Sequence, residues 1–165
     1  MLISIAIPAF NEEKLLGETL TSVKTAGAAF RARGWELEVV VCDNNSTDRT
    51  GAIAEANGAR VVFEAENQIS RARNAAGHAA RGDWIIFLDA DSTPCEGLFA
   101  ATSDLMEAES TLGGGAVIRM EVMPWWARIG LGIWNLISRI FRWPAGSYIF
   151  CRAEAFRELE GFSPK

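Results

Sequence analysis

Gly82-Asp83-Trp84-Ile85-Ile86-Phe87-Leu88-Asp89-Ala90-Asp91 is the stretch on which the fold turns. Its apolar run from Trp84 to Leu88 is too short for a helix and reads as a strand covered on both faces. The segment ahead of it, Gln68–Arg81, is alanine-rich and charge-bearing. It closes on Arg81-Gly82, a cation and a glycine where a helix stops. Outward from there the pattern repeats. Ile3–Ile7, Leu37–Cys42 and Arg60–Phe63 are short apolar runs, separated by the helix-like segments Glu12–Arg33 and Thr50–Asn57. This alternation predicts an α/β domain with a mostly parallel sheet flanked by helices. Glu12 and Glu13 are expected to open the first helix, favoured by its dipole and capped by Asn11.

The chain has 165 residues, 49% of them hydrophobic and 22% charged, which excludes a disordered tail, a fibre and a disulfide scaffold. That length makes a single domain. The net charge of −5 argues against a nucleic-acid partner. Cys42, Cys95 and Cys151 lie far apart and read as buried small hydrophobes in a reducing compartment. No basic residue precedes the first apolar run, so no secretory signal is expected. The longest uncharged apolar stretch, Ile129–Ser138, falls short of the roughly 18 residues that span a bilayer. A cytoplasmic protein is expected.

The chemistry is concentrated where strands end. Ile7 runs into Pro8-Ala9-Phe10-Asn11, Cys42 into Asp43-Asn44-Asn45-Ser46, and Leu88 into Asp89-Ala90-Asp91. In an open α/β sheet, ligands bind outside the carboxyl ends of strands, so three such loops are expected to face one crevice. Each loop alone is also good turn and cap chemistry. Asp89 and Asp91 at a strand exit can share a divalent cation, or divide between a cation and a sugar hydroxyl. Their hard oxygens suit Mg²⁺ or Mn²⁺. Arg71 and Arg73, with Asn74, lie in the preceding helix, where they could pair with a diphosphate or simply face solvent. His78, with alanine neighbours and no partner motif, receives no role. Gly113-Gly114-Gly115 reads as a flexible turn into a strand at Ala116–Arg119.

The later part differs. Residues 119–152 hold five arginines and one glutamate, a local net of +4, together with four of the six tryptophans. Between Trp125 and Trp143, Arg128, Asn135, Arg139 and Arg142 are spaced by 7, 4 and 3 residues, which puts them on one helical stripe. A cationic stripe beside a wide apolar face suits a helix lying in a membrane surface, or one packed on the sheet or on a partner subunit.

Taken together, Ile5–Glu13, Val41–Thr50, Arg71–Gly77 and Gly82–Asp91 resemble, in order and spacing, four motifs of the family 2 glycosyltransferases with the GT-A fold. Arg152–Phe156 and Gly161-Phe162 resemble that family's downstream element. The resemblance covers essentially the whole chain and implies a nucleotide-diphosphate-sugar donor. It implies that Pro8, Ala9, Phe10, Asn11, Glu12, Asp43 and Ser46 surround base and ribose, and that Arg71 or Arg73 lies near base or phosphates. It implies that Asp89, Ala90 and Asp91 serve ribose and metal, with Asp89 and Asp91 on Mn²⁺ or Mg²⁺. Residues 1–118 would then be the nucleotide-sugar half and 119–165 an incomplete acceptor side.

In inverting members a carboxylate shortly past the Gly-Phe element acts as general base, whereas this sequence ends at Ser163-Pro164-Lys165. The expectation is a chain truncated at its C-terminus, with the base beyond Lys165, that binds donor but transfers sugar poorly. Its acceptor is expected to be lipid-linked or membrane-proximal, at the inner face of the membrane, reached through Trp125–Trp143. Two other classes compete. Phe87–Thr93 also resembles the nucleophile motif of haloacid-dehalogenase-type phosphatases, but 88 residues precede Asp89 and the next lysine is Lys165. A nucleotidyltransferase would need a glycine- and basic-rich triphosphate loop at its start, and none is present. The non-enzymatic alternative is a nucleotide-sugar-binding module without a base.

Overall fold

The computed structural model of the chain describes residues 1–116, 124, 130–132, 134–136 and 147–163. Strands β1 (Leu2–Ala9), β2 (Glu36–Asp43), β3 (Arg60–Phe63) and β4 (Trp84–Leu88) are parallel, and β6 (Tyr148–Arg152) and β5 (Gly113–Gly115) add antiparallel to the β4 side. The six strands lie in the order β3-β2-β1-β4-β6-β5. The expected mostly parallel α/β sheet is therefore present. The chain winds outward from β1 to β3, then crosses back through a helix to β4 on the other side of β1. Strand order reverses between β1 and β4, the place where open sheets leave a crevice at their carboxyl ends.

The period-two alternation of strands sorts side chains onto two faces. Ile3, Ile5 and Ile7 of β1 face helices α1 (Leu16–Ala26), α2 (Ala28–Arg31), α3 (Thr50–Ala56) and α5 (Glu96–Glu107), which contribute Leu20, Phe30, Ala54 and Phe99. Ala6, Val40, Ile85 and Phe87 face α4 (Ile69–Ala79) and α6 (Ala153–Glu158), through Ala72, Ala76 and Phe156. The second layer is built from small residues. A Cβ at Gly77 would come within 2.6 Å of the Phe156 ring and 3.0 Å of the Phe87 ring, so glycine sets how closely α4 can lie. At the amino end of the sheet, Ser4 Oγ donates to Glu38 Oε1 (2.5 Å) and accepts from Gly82 N–H (2.8 Å). Burial pushes the Glu38 carboxyl up, but hydrogen bonds from Ser4, Arg81 and Arg60 outweigh it and hold the group below the ordinary carboxylate range.

Several local expectations change. The helix expected over Glu12–Arg33 is two helices, and α1 starts only at Leu16. Glu12 and Glu13 lie in the loop before it because their N–H groups are taken by Thr50 Oγ1 (2.8 Å) and Asp48 Oδ2 (3.1 Å) from the neighbouring loop. Asn11 does not cap a helix. It sits at φ +55°, and its Oδ1 accepts from Thr47 N–H at 2.8 Å. The three glycines are not a turn but β5 itself. A Cβ at Gly113 would meet the Phe150 carbonyl at 2.6 Å and one at Gly114 the Phe150 ring at 2.9 Å, so this strand can lie on β6 only without side chains. The strand expected at Ala116–Arg119 falls mostly outside the described residues. Cys42 is buried as expected, but Cys95, beside the start of α5, is exposed. Burial raises the Cys42 thiol to about 12 and the Cys151 thiol to about 11, so both stay protonated and inert at neutral pH.

Of the Trp125–Trp143 stretch, residues 130–132 and 134–136 are helical with Trp134 and Leu136 exposed. The rest, including Arg128, Arg139 and Arg142, lies outside the described residues. Among the described residues no helix is long and apolar enough to cross a membrane.

Candidate active site

A crevice of about 360 Å³ opens at the β1/β4 reversal, lined by Pro8, Ala9, Phe10, Glu12, Asn44, Ile69, Ala72, Arg73, Asp89, Ala90 and Asp91. Parallel pairing explains the convergence. Ala9 of β1 is in register with Asp43 of β2, and Ala6 with Phe87 of β4, so all three loops leave one edge of the sheet. Eight residues expected at the site, Pro8, Ala9, Phe10, Glu12, Arg73, Asp89, Ala90 and Asp91, meet there.

The other four do not line it. Asn11 and Ser46 join the first two loops, Ser46 Oγ accepting from Asn11 N–H at 3.0 Å. Asp43 turns toward its own loop, with Oδ1 accepting from Ser46 N–H at 3.0 Å. Its Oδ2 occupies the space a Cβ at Gly51 would need, so Gly51 lets the carboxylate lie against α3. Arg71 leaves the crevice for Glu64 (3.4 Å) and Glu66 (3.4 Å) in the β3–α4 loop.

Three lining residues escaped the sequence reading as site residues. Asn44 is buried and spends its amide on the same β3–α4 loop. Its Nδ2 donates to Glu64 O (3.0 Å) and Glu66 O (2.6 Å), and its Oδ1 accepts from Gln68 N–H (3.1 Å). Ile69 and Ala72 enter because they begin α4, and no local signal marks them. Thr19, a buried residue of α1, also matters from behind. Its hydroxyl donates to Ala90 O at 2.7 Å and pins the turn that carries both aspartates.

Charge in the crevice is opposed rather than uniform. Arg73 Nη2 lies 2.8 Å from Asp89 Oδ1, with the two side chains 14% and 31% exposed, so the pair is shielded enough to hold its geometry. Asp91 is exposed at the mouth. Loss of hydration, then repulsion by Asp91 and Asp48, raises the Glu12 carboxyl above its ordinary value. That repulsion marks a region that would accept positive charge. Among the described residues no group of three or more histidine, cysteine, aspartate or glutamate side chains is arranged to hold a metal. Two hard carboxylates in an open crevice still fit Mg²⁺ or Mn²⁺, ions that keep water and take oxygens from a bound phosphate. Phe10 and Ile69, 45% and 54% exposed, give the same crevice apolar walls. A ligand with one flat apolar part and one anionic part that carries a divalent cation with it matches this surface.

The family model for glycosyl transferase family 2 matches residues 4–159. An uncharacterized glycosyltransferase of Mycobacterium tuberculosis is 31% identical over 147 residues, covering 83% of this chain and 60% of that protein. The undecaprenyl-phosphate 4-deoxy-4-formamido-L-arabinose transferase of Pseudomonas paraeruginosa is 39% identical over 102 residues, 54% of this chain and 28% of that protein. Among solved structures, a mannosyltransferase of Pyrobaculum calidifontis in complex with GDP-Man and Mn²⁺ superposes with a TM-score of 0.77 at 22% identity. That match covers 98% of this chain and 47% of the other. The chain spans about a third of the length of the first curated relatives it matches, at 31%, 30% and 28%.

Proposed function

Since the chain belongs to glycosyl transferase family 2, we propose that its crevice binds a nucleotide-diphosphate sugar and that the whole protein moves that sugar to an acceptor with inversion. The single observation that carries this is the meeting of Glu12, Arg73, Asp89 and Asp91 in one crevice where β1 and β4 part. The fold is that of GT-A glycosyltransferases.

In this reading Phe10 and Ile69 flank the base, which extends past Asn44 toward Asp43, Ser46 and Arg71. Pro8, Ala9 and Asn11 shape the floor and rim of that end. Glu12 and Asp89 take the ribose hydroxyls, since carboxylates accept from vicinal hydroxyl groups. Arg73, held against Asp89, offers the remaining N–H groups of its planar fork to the diphosphate oxygens. Asp89 and Asp91 would hold Mn²⁺ or Mg²⁺, which supplies charge stabilisation to the departing diphosphate. Residues 1–118 form the donor half. The acceptor side begins in 119–165.

Titrating the 165-residue chain with UDP and with GDP, with and without Mn²⁺, tests this. The expected result is saturable binding of at least one nucleotide that weakens about tenfold or more when EDTA removes the metal. Failure of both nucleotides to bind in Mn²⁺ overturns the reading. A lipid-linked acceptor at the cytoplasmic face is supported by the undecaprenyl-phosphate named for one relative and by the arginines and tryptophans of residues 119–152. Co-sedimentation with anionic vesicles checks this second part, and no binding removes it.

A further inference from the structure

Arg73 does not stand in the crevice unsupported. The next residue of α4, Asn74, grips a segment distant in the sequence. Its Oδ1 accepts from Phe162 N–H at 2.8 Å and its Nδ2 donates to Phe162 O at 2.8 Å. Both ends of the amide are thus spent on the backbone of one residue, which fixes where residue 162 lies. The approach to that grip explains the glycine before it. Gly161 lies at φ +82°, and a Cβ there would run into the Asn74 side chain, so no other residue fits on either ground.

The held Phe162 ring meets Phe87 edge-on at 4.9 Å and Phe156 at 6.2 Å. Its other neighbour is the guanidinium of Arg73, whose Cζ lies 5.7 Å from the ring centre. Arg73 is therefore bracketed by an aromatic ring and by Asp89, whose Oδ1 is 2.8 Å away. A guanidinium is planar, so fixing its surroundings at two points fixes the direction of its fork.

We propose that Phe162, held by Asn74, is a positioning residue that aims Arg73 at Asp89 and the diphosphate side of the crevice, which makes the Gly161-Phe162 segment part of the donor site. This rests on the nucleotide-sugar reading above. A purely structural role would make Phe162 a plug on Phe87 and Phe156, with no energetic link to Arg73.

A double-mutant cycle separates the two. The full chain and its variants are titrated with UDP and with GDP in Mn²⁺, and each variant is melted to show that it folds. Phe162→Leu keeps apolar bulk but loses the ring, and should weaken nucleotide binding about 3- to 10-fold, while Phe162→Tyr restores it. Asn74→Ala should give a loss of similar size. In an Arg73→Gln background neither Phe162→Leu nor Asn74→Ala should cost anything further, because contacting residues couple whereas independent ones add. Wild-type affinity in Phe162→Leu overturns the proposal, as does an undiminished loss in the Arg73→Gln background. If Arg73→Gln abolishes binding, the recovery by Phe162→Tyr decides, and a tyrosine variant as weak as the leucine one overturns it. If Phe162→Leu does not fold, the Asn74→Ala cycle decides by the same criteria. A wild-type chain that binds neither nucleotide defeats the function reading itself, and the proposal with it. Binding that survives while the coupling is missing defeats only the proposal.

Discussion

Asp91→Asn lowers the affinity of the chain for a nucleoside diphosphate in Mn²⁺ by about 100-fold, the order of magnitude lost when one preorganised electrostatic partner is removed. Asp91 lines the crevice at its mouth and is exposed, so the change leaves the core untouched. Stability moves little, and its sign follows from Glu12. Loss of hydration raises the Glu12 carboxyl first, and the charges of Asp91 and Asp48 raise it further. Removing the Asp91 charge relieves part of that repulsion, so Glu12 ionises at lower pH and the folded state gains slightly at neutral pH. Affinity and stability therefore move in opposite directions, the pattern of a carboxylate kept for a ligand rather than for the fold. Calorimetric titration beside a thermal melt checks this. In EDTA, the variant and the unmodified chain should converge. Equal affinity of the two in Mn²⁺ removes Asp91 from the metal role.

Phe30→Ala costs about 3–5 kcal/mol, the usual range for deleting a buried phenylalanine. Phe30 is 0% exposed, and its ring stacks on Phe99 of α5 at 4.9 Å and on Trp35 at 6.1 Å. It is the main anchor of α2, which has only four residues and cannot hold its shape without packing. The hole cannot close easily, because β2, on which α2 lies, is a strand paired on both sides. At roughly 2–4 °C per kcal/mol for a domain of this size, the melting temperature falls by about 10 °C. Phe30→Leu, which refills most of the volume, should recover more than half of that loss. A melt within about 2 °C of the unmodified chain would show that the site collapses and that the cost was misjudged.

The strands were the most legible part because short apolar runs bounded by turn residues are a local signal. Trp84–Leu88 and Arg60–Phe63 match their predicted limits, while β1 and β2 each extend by a residue or two at their ends. Helix starts were less legible. Asn11-Glu12-Glu13 is a sound cap sequence, yet its N–H groups and its amide are claimed by Ser46, Thr47, Asp48 and Thr50 across the gap between β1 and β2. A local preference of about 1 kcal/mol gives way when several hydrogen bonds to a parallel neighbour are on offer. Gly113–Gly115 was unreadable for a related reason. What makes it a strand is Phe150 on β6, a residue far along the chain.

Which chemistry-bearing side chains exist, and that they end strands of one parallel sheet, could be told from residue order alone, because apolar periodicity and strand-end polarity are local properties of the chain. The direction each side chain takes could not. Arg71 and Arg73 are two positions apart on one helix, and only packing sends the first to Glu64 and Glu66 and the second to Asp89. Asp43 and Asn44 are adjacent, yet the first folds back on its own loop and against α3 while the β3–α4 loop holds the second at the crevice wall. Such choices depend on partners brought near by chain crossings, and a partner's distance in space is not written in its distance along the sequence.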